Sequence, residues 1–195
     1  MFGASGENLR DPAAAEIKVG YLMCKYDRMA LSTKRDRETL RESFRPARIQ
    51  VLFIGEAPPV SGRFFYAANS GLYRAMRMAF QIADSTINDE NFLTVFQQRG
   101  CYLTDLCYEP VDHLAPDQRR ALRRNAETHL ARQLTRLRPV MIAPVLRSII
   151  RNVKNATSSA RWQGEVLELP YPGRWLRNRE AFVESLVPVI RRLNR

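Results

Sequence analysis

The chain has 195 residues, 45% of them hydrophobic and 26% charged, which suits one domain with a substantial core and excludes wholesale disorder. Thirty-one Lys and Arg against twenty Asp and Glu leave a net charge of +11. Most of the cations are arginine, which forks onto phosphate, so a polyanion is the expected partner, with nucleic acid ahead of a membrane surface. No apolar run is long enough to span a bilayer and the start shows no leader pattern, so a soluble, cytoplasmic protein is expected, as a monomer.

Taken in order, residues 1–11 read as a loose arm and 12–31 as a helix, with Asp11 as cap and Pro12 in the first turn. A short charged helix follows over 34–44, closed by Pro46. Residues 49–54 form the first strand, because Val51-Leu52-Phe53-Ile54 is an unbroken apolar run bounded by turn residues, the pattern of a strand covered on both faces. Ser70 caps a helix over 70–83 with Leu72, Met76, Ala79, Phe80 and Ala83 at helical spacing. A further helix is expected over 88–98 and a second strand over 100–106.

Residues 116–138 carry the clearest helical pattern, with Leu122, Ala126, Leu130, Leu134 and Leu137 on one face and Arg119, Arg120, Arg123, Arg124, Arg132 and Arg136 opposite, expected mainly as a solvated face. A third strand over 140–145 and a short helix over 146–153 come next. A fourth strand at 164–169 and a closing helix over 179–193, with Phe182, Leu186, Val189, Ile190 and Leu193 inward, complete the pattern. Alternation of strands and helices predicts an α/β fold: a three-layer α/β/α sandwich around a central four-stranded parallel sheet.

In such a sheet the loops at the carboxyl ends of the strands form the ligand edge. Three of them carry unusual residues: 55–66, 104–113 and 170–176. In the first, Pro58 and Pro59 prevent a helix from starting directly after the strand and leave Glu56 on a loop. The three cysteines, Cys24, Cys101 and Cys107, are an odd set without paired spacing. They build no disulfide framework and, with only His113 and His129 to help, no zinc site.

Read together, Gly55-Glu56-Ala57-Pro58 with Gly62-Arg63-Phe64-Phe65, then Tyr102-Leu103-Thr104-Asp105-Leu106, Arg138-Pro139-Val140-Met141-Ile142, and Leu169-Pro170-Tyr171-Pro172-Gly173, resemble in order the uracil-DNA glycosylase superfamily. The nearest branch is the one whose first motif reads Gly-Glu-Ala-Pro-Gly, and the resemblance spans roughly residues 49–193. It implies an enzyme that flips a base out of DNA and hydrolyses the bond between base and sugar, leaving an abasic site. It places Glu56 as the carboxylate that stabilises the cationic sugar or orients water. Gly55, Ala57 and Pro58 shape the pocket, and Phe65 stacks on the flipped base, with Phe64 able to exchange roles with it. Arg63 and Arg174 would bind phosphate, and Trp175 or Leu176 would fill the gap in the stack; a Trp that simply anchors the last helix is the alternative. That branch carries four cysteines for an iron–sulfur cluster, and this chain has three, so no cofactor is expected.

Two positions depart from the family. Asp105 stands where an asparagine reads the uracil edge, and Tyr171 where a histidine stabilises the departing base. An ionised aspartate only accepts, so it suits the amino group of a cytosine-type base better than the 4-carbonyl of uracil. Tyr171 retains a hydroxyl able to donate to the 2-carbonyl. The expected substrate is therefore a modified cytosine-type base. A catalytically silent DNA-binding protein on the same fold, a plain uracil-excising enzyme and an enzyme acting on a small nucleotide are the alternatives.

Overall fold

The computed structural model describes residues 33–173 and 175–193. The fold below is that of these residues. The arm expected over 1–11, the helix over 12–31, Cys24 and Arg174 lie outside the described residues.

Helix α1 spans Lys34–Ser43. Thr33 and Asp36 cap it reciprocally: the Asp36 N–H donates to the Thr33 hydroxyl at 3.1 Å and the Thr33 N–H to the Asp36 carboxylate at 3.3 Å. This satisfies donors that a helix start otherwise leaves open. Strand β1 spans Val51–Gly55 and is buried along its whole length. After a 3-10 turn at Phe65–Ala67, α2 runs over Gly71–Ala83, capped as expected by the Ser70 side chain, which accepts from the Tyr73 N–H. Helix α3 is Phe92–Gln98 and β2 is Cys101–Asp105. The long α4 is Pro116–Leu137, β3 is Met141–Pro144, α5 is Ile150–Ser159, β4 is Glu165–Val166 and α6 is Leu176–Leu193.

All strand pairs are parallel, in the order β2-β1-β3-β4. Helices flank this sheet, α2 packing on α6 and α4 on α5, so the fold is the expected α/β sandwich with a four-stranded parallel sheet. The register sets Gly55 directly opposite Asp105, which brings the two strand ends that matter most side by side. An aromatic cluster of Phe53, Phe65, Tyr73, Phe80, Phe92 and Phe96 fills the core between β1, α2 and α3.

The helix expected over 146–153 lies at Ile150–Ser159 and the closing helix expected from 179 starts at Leu176; two further differences have readable reasons. Strand β4 is two residues long rather than six. The Met141 N–H donates to the Gln50 carbonyl just before β1 and the Val145 N–H to that of Ile54 on β1, so the intervening Pro144 turns its nitrogen towards β4, where it has no proton to offer. The ladder therefore ends after the Leu167 N–H reaches the Ile142 carbonyl at 2.8 Å. In α4, Leu122 is exposed instead of inward, and burial is confined to Leu130, Ala131, Gln133 and Leu134. The amino-terminal half of α4 turns an arginine face inward instead.

Candidate functional site

A cleft of about 620 Å³ opens at the carboxyl edge of β1, β2 and β3. The three loops expected to converge do so there. Gly55, Glu56, Ala57, Pro58, Arg63, Phe64, Phe65, Asp105 and Tyr171 all line it. The loop after β1 is tied across to the loop after β2, with the Val60 N–H donating to Asp112 at 3.2 Å and the Cys107 N–H to the Glu56 carbonyl at 2.8 Å.

Glu56 is 6% exposed, too buried to be an ordinary solvated loop carboxylate. A buried charge needs a partner, and two arginines of α4 supply it. Arg119 Nε donates to Oε1 at 2.6 Å and Arg119 Nη2 to Oε2, a fork that engages both oxygens. Arg123 Nε stands 3.5 Å from Oε1. The hydrogen bond to Glu56 pushes the Arg119 guanidinium above its usual range, so it stays charged at any accessible pH.

Asp105 is buried beside Gly55 and paired from behind. Arg41 Nη2 donates to its Oδ2 at 2.5 Å, while Arg41 also holds Glu38. Oδ1 lies against Gly55, and no donor among the described residues reaches it. Any side chain larger than hydrogen at Gly55 would overlap that oxygen, so the glycine is what admits the carboxylate to the cleft. Burial pushes the Asp105 carboxyl above the usual carboxylate range, opposed by the Arg41 guanidinium.

Phe64 and Phe65 are both buried and both reach the cleft. Phe65 is enclosed by four rings, those of Tyr66, Tyr73, Phe92 and Phe96. Phe64 has one aromatic neighbour, Tyr66, and the Arg41 guanidinium 5.4 Å from its centroid. Tyr171 is half-exposed on the cleft wall. Trp175 and Leu176 are 72% and 64% exposed just before and at the start of α6. Such exposure is poor anchoring for a helix.

Five arginines escaped the sequence reading. Arg119 and Arg123 were expected on a solvated face, and their i, i+4 spacing at the first turns of α4 was the available signal, since one carboxylate can be gripped from both. Arg37 and Arg41 interrupt the apolar positions of α1 at i, i+4 around Leu40, a pattern of buried cations in want of anions; the five count Arg41 of that pair. Arg74 and Arg179 line the cleft mouth with Arg63, all three exposed and without a carboxylate partner among the described residues; nothing local in the sequence marks them.

A second cavity of about 430 Å³ lies behind Arg41, lined by Tyr108, His129, Gln133 and Arg136 among others. Among the described residues no group of three or more His, Cys, Asp or Glu is placed to hold a metal ion. The two described cysteines stand apart: Cys101 begins β2 and Cys107 lies beyond its far end, about 20 Å away at the usual strand rise per residue. Both are buried, and burial raises the Cys107 thiol to about 11.

The site is thus one cleft at the carboxyl edge of a parallel α/β sheet, lined by a carboxylate, aromatic rings and arginines. The chain matches the Uracil DNA glycosylase superfamily over residues 42–193 and belongs to it. Members of that superfamily are DNA N-glycosylases that act on DNA. No curated protein matches the chain in sequence. No helix of the described residues is long and apolar enough to cross a membrane.

Proposed function

We propose that the protein is a DNA glycosylase directed at a modified cytosine-type base. The observation that carries the reading is the Asp105 carboxylate: Arg41 occupies Oδ2 and leaves Oδ1, an acceptor, beside Gly55 at the cleft. An acceptor there receives the exocyclic amino group of a cytosine edge and meets the 4-carbonyl of uracil with repulsion. Plain cytosine is a normal base of DNA, and an enzyme that removed it would destroy its own host's genome, so the target is a modified or foreign derivative.

In this reading the flipped base stacks on Phe64, the one of the two cleft phenylalanines with fewer aromatic neighbours, while Phe65 supports it from the core. The bond between C1′ and the base nitrogen breaks with its electron pair leaving on the base, and the Tyr171 hydroxyl donates to the base's 2-carbonyl as charge accumulates there. Glu56 faces the sugar, which becomes oxocarbenium-like. Water adds to C1′ and loses its proton to solvent, while the departing base anion takes up one proton from solvent, giving neutral base and abasic site. The carboxylate acts mainly through charge and orientation. Arg63, Arg74 and Arg179 hold phosphates at the mouth, and Trp175 or Leu176 enters the vacated stack.

Uracil excision through a protonated Asp105 is the second reading, favoured by the burial that raises this carboxyl. The ion pair with Arg41 weighs against it at neutral pH. The test is excision on duplex and single-stranded DNA carrying uracil, cytosine or modified cytosines, with alkaline cleavage of abasic sites and sizing of the strands. Cleavage at a cytosine derivative, abolished in Glu56→Gln, is the expected result. Cleavage only at uracil, rising as the pH falls, would establish the second reading, and no cleavage with salt-sensitive binding retained would leave a DNA-binding protein without this activity.

A further inference from the structure

The carboxylate that the proposed reaction needs is not free in this structure. Arg119 takes one oxygen of Glu56 with Nε and the other with Nη2, and Arg123 stands 3.5 Å away. Two guanidinium groups on one carboxylate cancel most of the negative charge that Glu56 would offer a cationic sugar, and the further carboxylate that acts on Arg119, Asp112, is shared with the Val60 N–H. By Coulomb's law a carboxylate so paired assists the reaction less than one that faces the sugar with a single arginine behind it.

The two arginines are held differently. Arg123 is fixed: its side chain is 12% exposed, Nη1 donates to the Ser148 carbonyl at 2.9 Å and Nε to the Arg119 carbonyl at 3.4 Å. Arg119 has 34% of its side chain exposed and only Glu56 as a side-chain hydrogen-bond partner among the described residues. It lines the same cleft as Arg63, Arg74 and Arg179, which have no carboxylate partner among the described residues. A guanidinium fork fits a phosphate as well as it fits a carboxylate.

We propose that Arg119 is a phosphate-binding residue of the target strand, held in reserve on Glu56 until DNA arrives. In the free protein it neutralises a buried carboxylate. When a nucleotide enters the cleft, its phosphate draws Arg119 away, leaving Glu56 with Arg123 as its one arginine partner among the described residues, and more of the carboxylate's negative charge then faces the sugar. Arg119 is thus a positioning residue that couples occupancy of the cleft to the charge at the reaction centre. The inference rests on Glu56 standing at that centre, but its binding consequence does not require that the protein cut anything.

A double-mutant cycle on binding tests it. The probe is a duplex with a tetrahydrofuran abasic site, titrated against the full-length protein, Glu56→Gln, Arg119→Ala and the double variant. Glu56→Gln releases Arg119 and should tighten binding roughly tenfold, a gain that shrinks below about twofold when Arg119 is alanine. Arg119→Ala alone should lower the slope of log affinity against log salt by about one. Equal tightening in both backgrounds would reduce the effect to general charge and overturn the proposal, as would no tightening at all. Arg119→Gln, neutral and still able to donate to Glu56, replaces the alanine variant if that one does not fold. Where excision is observed, single-turnover rates at saturating DNA should rise in Arg119→Ala while KM increases. A fall in the saturated rate would mean that Arg119 merely orients Glu56. A protein that passes the binding cycle but excises nothing would sink the glycosylase reading and leave this one standing.

Discussion

Arg41 and Asp105 meet at 2.5 Å with the cleft on one side and the second cavity on the other. Asp105 lines the cleft and Arg41 does not, so the guanidinium approaches from behind and leaves the front oxygen for a ligand. Asp105→Asn turns the acceptor into a group that also donates. Excision should shift from an aminated base to uracil, read as a reversed ratio of kcat/KM for the two substrates. Arg41 would keep only Glu38 as counter-charge, at a cost of roughly 3 kcal/mol, seen as a lower denaturation midpoint.

Gly55→Ala places a methyl group on the Asp105 carboxylate. The strand register leaves no slack there, because Gly55 pairs directly with Asp105. Either Asp105 leaves the cleft or the β1 and β2 ends part, at about 1–3 kcal/mol. Loss of base discrimination with a reduced melting temperature is expected. An alanine variant that keeps both intact would show that the carboxylate does not need this approach.

The apolar runs made the sheet legible, since Val51-Leu52-Phe53-Ile54 could only be covered on both faces. The loops at its edge were legible as a site because Gly55, Glu56 and the prolines forbid ordinary secondary structure there. What the cations did was not legible. Arg119 and Arg123 look like neighbours of Arg120 and Arg124 until the fold shows which way α4 faces. Helical periodicity pointed to the leucine stripe as the inner face along the whole of α4. In fact Leu122 is exposed and the inward pull near the cleft is electrostatic, from Glu56. Arg41 was hidden for a related reason: its partner lies 64 positions away along the chain, and sequence periodicity carries no information across that separation.

Phe65 and Phe64 should separate into support and contact. Phe65→Ala removes the ring that four others surround and should cost about 3–5 kcal/mol of stability, measured by chemical denaturation. Phe64→Leu should leave the fold nearer its native stability and weaken binding of the flipped base by about tenfold, within the general range for loss of one stacking contact. Equal stability losses with no effect of Phe64→Leu on KM would return the stacking role to Phe65.

His129 makes stability depend on pH. Its Nε2 bonds the Tyr108 hydroxyl, which Gln133 Nε2 also reaches at 2.8 Å. Burial, then Arg132, Lys34 and Arg136, hold the imidazole below its ordinary value of 6.5, with Glu38 opposing. A folded-state pKa below the unfolded one means that the unfolded chain takes up the proton first as the pH falls. The contribution is therefore present above about pH 6.5 and lost progressively below it. The melting temperature should drop between pH 7 and pH 5.5, and His129→Gln should flatten that segment of the curve. An unchanged slope in the variant would place the titration elsewhere.

Trp175 and Leu176 offer the sharpest separation of stability from function, because each exposes most of its surface beside the cleft loop that ends at Gly173. A side chain 72% exposed contributes little to folding, so Trp175→Ala should change stability by no more than about 0.5 kcal/mol. If either residue fills the gap left by an extruded base, its loss penalises extrusion from a stacked duplex and not capture of a base that is already unstacked. Excision from duplex DNA should fall about tenfold or more in the variant that carries the wedge, with excision from single-stranded DNA maintained. The ratio of the two rates, measured for Trp175→Ala and Leu176→Ala side by side, identifies the wedge; a parallel decline on both substrates in both variants would assign these side chains to general DNA contact instead.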